Sequence, residues 1–256
     1  MLSTLLIASS LFIGMLICME IGRRIGIKNN SSDPEGAQKG IGTVEGSLFG
    51  LIGLLIAFTF SGAASRFEER RQLITHECNA IGTAYLRIEL LSSDDQIKMK
   101  DLFKQYLDSR LEAYKQVPDM VAVKAELERG TQLQNTIWSF AIVASKNEGA
   151  MTDAAKLLLP ALNEMIDITT TRTTSAESHP PNVIFYLLGF LSLVGALLVG
   201  YGMAGSKNRN FLHMLLFSFV MTITVYTILD LEFPRLGIIR IDQADHILYE
   251  LRKSMN

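Results

Sequence analysis

The chain has 256 residues, 48% of them hydrophobic and 20% charged, with a net charge of -2 and a mean hydropathy of +0.25. Its apolar residues are gathered into blocks, the pattern of an integral membrane protein rather than of a soluble amphipathic fold. With no basic excess, and no stripe of Lys and Arg interleaved with aromatics, nucleic acid is set aside as a partner.

Four runs are long enough to cross a hydrocarbon core, which takes about 20 apolar residues in a helix. They fall at residues 3–22, 44–64, 183–205 and 210–231. The first has no basic segment before it, and Arg23 and Arg24 stand where a signal cleavage site would be, so it reads as an anchor helix. The turn formers of NNSSDPEGAQKG, residues 29–40, predict a short hairpin loop between the first two spans.

From Val44 to Gln116 there is no proline, so the second span should leave the bilayer as one long helix. A break is expected near Ser92, with Ser93 as N-cap and acids following in the first turn. Further helices are predicted over 118–128, 132–146 and 151–171, with gaps at Gly130 and at Asn147 and Gly149. The tail should run extended through GIIRID, residues 237–242, into a helix over 243–253 that buries Ile247, Leu248 and Leu251. The fold class is therefore all-α: a polytopic membrane protein with four transmembrane helices and a helical extramembrane domain between the second and third spans. The expected divisions are a first transmembrane hairpin at 1–66, the helical domain at 67–182, a second hairpin at 183–231 and a tail at 232–256.

Signals for catalysis are weak. Gly200, Gly202 and Gly205 match GxGxxG in form, but they end a membrane span with no strand before them, so they read as close helix packing. His76 and Glu77 begin an HExxH that fails at Ala80, and the remaining histidines are scattered. Cys18 and Cys78 have no metal-ligand spacing. The sequence points to no enzyme and no cofactor.

The second span says more. Gly46, Gly50, Gly53, Ala57, Ser61 and Ala64 recur at steps of three and four and line one narrow face. Such a face allows close helix packing, or the wall of a pore, and an oligomer satisfies both readings.

Immediately beyond it, Arg66, Phe67, Glu69, Arg71 and Leu73 in SRFEERRQL resemble the arginine, aromatic, x, glutamate, x, arginine, x, leucine pattern after the second membrane helix of bestrophins. The spacing to Ala63 and Phe58 fits as well. The tail ILDLEFPRLGIIRI, residues 228–241, with Asp230, Glu232, Pro234 and Gly237, and LNEMIDI at 162–168, resemble bacterial membrane proteins described as bestrophin-like. The resemblance covers most of the chain.

It implies a homo-oligomeric ion channel, a pentamer selective for anions, whose second spans surround the pore. The family's constriction then falls on Gly50, Leu54 and Phe58. Thr59 replaces an arginine frequent in bestrophins, Ser61 an asparagine and Ala64 a tyrosine, which bears on anion preference, since selectivity needs fixed charge or dipoles. Thr59, Ser61, Arg66 and Arg70 are candidates for the pore or its vestibule; the alternative for the arginines is a salt-bridged exit turn. Animal bestrophins hold calcium after the fourth span, which makes Asp230 and Glu232 candidate cation ligands; the alternative is a boundary role with arginine partners.

The expected partners are the lipid bilayer, further copies of the chain and inorganic ions. Arg23, Arg24, Lys28, Lys39, Lys207 and Arg209 would hold the two short loops in the cytoplasm by the positive-inside rule, yet long domains translocate largely regardless of charge. Family architecture implies the reverse, with the 67–182 domain cytoplasmic beneath a bacterial inner membrane. A second function class stays open: a non-conducting sensor or scaffold whose helical domain binds a partner or ligand.

Overall fold

The computed structural model describes residues 2–32, 41–205 and 211–255. Eight α-helices run through them: α1 (Leu2–Ser32), α2 (Ile41–Leu86), α3 (Ser93–Lys115), α4 (Met120–Ala144), α5 (Ala154–Glu177), α6 (Asn182–Gly202), α7 (Phe211–Glu232) and α8 (Asp242–Ser254). No strand occurs among the described residues. The helical stretches Thr4–Asn29, Gly42–Leu90, Ala154–Gly205 and Phe211–Glu232 are each long and apolar enough to cross a membrane. The protein is thus an all-α polytopic membrane protein. Most of the predicted 29–40 loop lies outside the described residues, as do Lys39, Lys207 and Arg209, and α1 itself continues to Ser32.

The chain divides into two compact units. The first comprises Met1–Phe67 and His179–Ile239. Here α1 lies against α6 at glycine contacts: a Cβ on Gly22 would overlap the Leu197 carbonyl, and one on Gly200 would overlap that of Met19. Gly200 therefore serves backbone approach, as small residues do between membrane helices. Met15, Met19, Ala196 and Met214 fill one core of this unit; Ala63, Leu188, Val225, Ile228 and Leu231 fill another.

The second unit comprises Glu68–Ser178 and Arg240–Asn256. Its core is built from stripes at helical spacing, such as Ile74, Ile81, Ala84 and Ile88, with Met99, Phe103, Tyr106 and Leu107 from α3. Of LNEMIDI, Leu162 and Met165 are fully buried in it. Leu248 of α8 is buried, and Arg252 clasps Asp108 by two hydrogen bonds of 2.7 and 3.0 Å.

Two local expectations are corrected. The cap of α3 is Ser92 rather than Ser93: Ser92 Oγ accepts from the Asp95 amide at 3.3 Å. Gly130 does not end a helix, since α4 runs through it from Met120 to Ala144. There Gly130 is buried where α4 packs against α3, and a Cβ would make ordinary contact with Ser109 Oγ at 3.5 Å. Burial outweighs the roughly 1 kcal/mol that glycine costs a helix interior.

Candidate functional site

α2 is unbroken for 46 residues, about 69 Å at the α-helical rise. Its residues 49, 52, 56 and 63 turn inward within the first unit: Ile52 and Ala63 are buried, and Phe49 meets Phe217 edge to face with ring centroids 6.1 Å apart. The opposite face is uncovered. A Cβ at Gly46, Gly50 or Gly53 would meet nothing within 4 Å, and Leu54 and Phe58 are 52% and 68% exposed. Gly50, Leu54, Phe58 and Ser61 therefore share one open stripe. Thr59 stands beside that stripe, half-buried, with its hydroxyl donating to the Leu55 carbonyl at 2.8 Å.

Where this stripe ends, charges engage. Arg66 pairs with the fully buried Glu232, Nη2 to Oε2 at 2.7 Å and Nε to the same oxygen at 2.9 Å. His179 Nδ1 reaches the other oxygen, Oε1, at 2.9 Å, and its ring stacks on Phe233. Two residues earlier in α7, Asp230 folds the chain beyond the helix back on itself. Its carboxylate accepts the Ile238 amide at 3.0 and 3.1 Å and the Ile239 amide at 2.7 Å. Gly237 is required by this fold, because a Cβ there would overlap Asp230 Oδ1. The four tail-motif residues thus form a clasp in which Pro234 stops α7, Gly237 admits the carboxylate, and both acids accept hydrogen bonds from protein donors. Among the described residues no cluster of three or more metal-ligating side chains occurs.

In the second unit Arg70 is buried and donates to the carbonyls of Ser175 and Ser178 at 3.2 and 3.0 Å, closing the C-terminal end of α5. Glu69 and Leu73 lie on the same helix; Arg71 makes an exposed pair with Glu68 at 2.9 Å. Deeper in the unit is an ionic core that the sequence reading missed. Glu77 of α2 accepts from Arg110 Nε at 2.7 Å and from Arg172, and Arg172 also pairs with Asp245 of α8 at 2.7 Å. The Tyr114 ring lies against both guanidiniums, 4.1 Å from Arg172 and 5.3 Å from Arg110. Burial works against ionising Glu77, but the two guanidiniums outweigh it and hold the carboxyl below its ordinary value. Burial pushes the Tyr114 phenol up to about 12. The two arginines and two carboxylates balance, which is what lets four charges share a buried site.

The missed signal was positional. Glu77 falls between Ile74 and Ile81 on an apolar stripe, Arg172 continues the stripe of Leu158, Leu162 and Met165, and Asp245 sits between Ile241 and Leu248. A charge on a buried stripe needs a partner, and here each supplies the other's.

A four-span helical membrane protein with a separate helical unit, an uncovered glycine-rich second span and an acidic clasp after the fourth span defines the class. The family model for the Bestrophin-like domain matches residues 10–245, and the chain belongs to that family. Two solved structures share its fold, both alanine variants of a bacterial bestrophin homologue from Klebsiella pneumoniae. The tryptophan variant is 15% identical with a TM-score of 0.72, over 97% of this chain and 96% of that one. The tyrosine variant is 13% identical with a TM-score of 0.69, over 94% and 99%. Among curated proteins, none matches this chain.

Proposed function

We propose that the protein is a homo-oligomeric ion channel in which α2 surrounds the axis. The observation that carries this reading is the uncovered face of α2. Only 11% of its apolar window is buried within the protomer, against 22% for α1 and 28% for each of the other two. Its glycines are also spare. Those of α1 and α6 at 22 and 200 are consumed in backbone contacts, whereas Gly46, Gly50 and Gly53 touch nothing. Lipid gives no reason for such a stripe; neighbouring copies around a narrow axis do.

In that ring Leu54 and Phe58 form two apolar collars one turn apart, about 6 Å along the axis, with Gly50 on the same line. Collars of this kind gate by dewetting and carry no charge. Thr59 and Ser61 stand near the same line and Arg66 follows toward the vestibule, whereas Arg70 is buried against the end of α5. Pentameric assembly and anion preference are the family's pattern carried to this chain, as is a cytoplasmic position for residues 67–182 in a bacterial inner membrane. The divisions at 66, 182 and 231 go with this reading.

The test is ion flux in liposomes, after native mass spectrometry has counted the copies. Leu54→Ala with Phe58→Ala should raise flux, and Leu48→Ala, on a half-buried position off the stripe, should leave it unchanged. A monomer by mass spectrometry, or assembled double variant with no more flux than empty liposomes, would leave the scaffold reading in its place.

A further inference from the structure

We propose that one face of α7 carries a file of bound water inside each protomer, separate from the axial pore and independent of the channel reading. Residues 214, 218, 222, 226 and 230 fall one turn apart and so form a single row. The row is Met214, Ser218, Thr222, Tyr226 and Asp230. Ser218 is fully buried, the hydroxyls of Ser218 and Thr222 are buried without a hydrogen-bond partner, and the buried Tyr226 hydroxyl lies within reach of the Asp230 carboxylate.

This departs from what hydroxyls in helices ordinarily do, which is to bond the carbonyl one turn back. Other hydroxyls of the same unit follow that habit: Thr224 donates to Val220, Thr227 to Ile223 and Ser192 to Leu188, at 2.8, 2.8 and 2.7 Å. Ser218 and Thr222 turn away from their own backbone into the bundle. Two successive orphan hydroxyls on a row that leads to Tyr226 and Asp230 call for a shared occupant, because buried polar groups are almost always satisfied and water is the usual means.

Direct contact does not satisfy the row: Ser218 and Thr222 do not bond each other's hydroxyl, nor does Thr222 bond that of Tyr226, so water between neighbours is what completes them. At one end the row reaches Asp230, whose carboxylate accepts the Ile238 and Ile239 amides and keeps acceptor capacity for the Tyr226 hydroxyl. At the other end Met214, packed with Met15 and Met19, closes it with apolar side chains. The track is blind. From Asp230 to Ser218 it covers about 18 Å, so it brings exchangeable protons into the middle of the span without passing them through.

Radiolytic labelling of the purified full-length protein in nanodiscs, read by mass spectrometry, tests this, because hydroxyl radicals form from bound water as well as from bulk. Tyr106 is the dry reference: it is fully buried, and its hydroxyl is bonded to Thr169 and Gln134. Tyr226 should label several-fold faster than Tyr106, and its excess should disappear in Thr222→Val, which keeps the shape and removes the bridging hydroxyl. Tyr226 labelling no faster than Tyr106, or equally fast in wild type and Thr222→Val, overturns the proposal. The first comparison needs no variant, so a poorly folding Thr222→Val does not shield the idea.

Discussion

Replacing Glu77 by glutamine probes the ionic core with the smallest change in shape. Glu77 is 0% exposed, Arg110 2% and Arg172 6%, so none of the three can turn to water when the charge is lost. The remaining carboxylate, Asp245, contacts Arg172 and leaves Arg110 without an anionic partner among these four groups. Removing one member of a buried pair typically costs about 3–5 kcal/mol, because the survivor is stranded. At roughly 2–4 °C per kcal/mol for a chain of this size, thermal unfolding in detergent should fall by roughly 6–20 °C. The control is Glu68→Gln, which breaks the Arg71 pair at 2.9 Å between side chains each about half exposed, where screening leaves little to lose. A pH series adds a second readout. Because the native carboxyl sits below its ordinary value of 4.5, its contribution is complete above that pH and is lost as pH falls through the lowered native value. Wild type should therefore lose stability on that acid limb, and Glu77→Gln should lose less of it. Equal melting of Glu77→Gln and Glu68→Gln would refute the account of the core.

Gly237→Ala should destabilise the first unit in a melt and weaken assembly, since its Cβ has nowhere to go but into Asp230; unchanged melting would mean that the clasp is dispensable. Arg66→Lys should retain only part of the wild-type stability, because an ammonium cannot reproduce the two-nitrogen grip on Glu232, and Arg66→Ala should retain less. Deleting the chain after Ile241 removes Asp245, Leu248 and Arg252 together and should lower the melting of the second unit; a truncated protein as stable as the full chain would deny α8 a docking role. The phenolate absorbance lost on Tyr114→Phe should emerge in wild type only near pH 12, and its appearance near pH 10 would place the ring in water.

What the sequence disclosed, and what it withheld, follows the range of the interactions concerned. The four spans were legible because a run of apolar residues is local, and the unbroken α2 was legible because no proline interrupts it. Gly130 misled because a glycine looks like a stop until its tertiary surroundings are known: here it is buried against α3, some 20 residues away, and the helix continues through it. The tail motif could be read as a pattern but not explained, since the bond from Asp230 to the Ile238 and Ile239 amides exists only once the chain turns back. Glu77, Arg110, Arg172 and Asp245 are harder still: they come from four helices, and charge alone does not distinguish them from solvated neighbours.

The candidate pore face is ambiguous for a different reason. Small residues at helical spacing say that something approaches closely, and the fold adds only that within the protomer nothing does. That difference gives the stripe its weight. A glycine that touches its own chain is explained by packing, as at Gly22 and Gly200, but one left open along several turns of an otherwise apolar span forgoes helix stability with no return inside the monomer. On the channel reading proposed above, the compensation comes from outside it, and a second copy of the same face around a shared axis would supply it to every protomer equally.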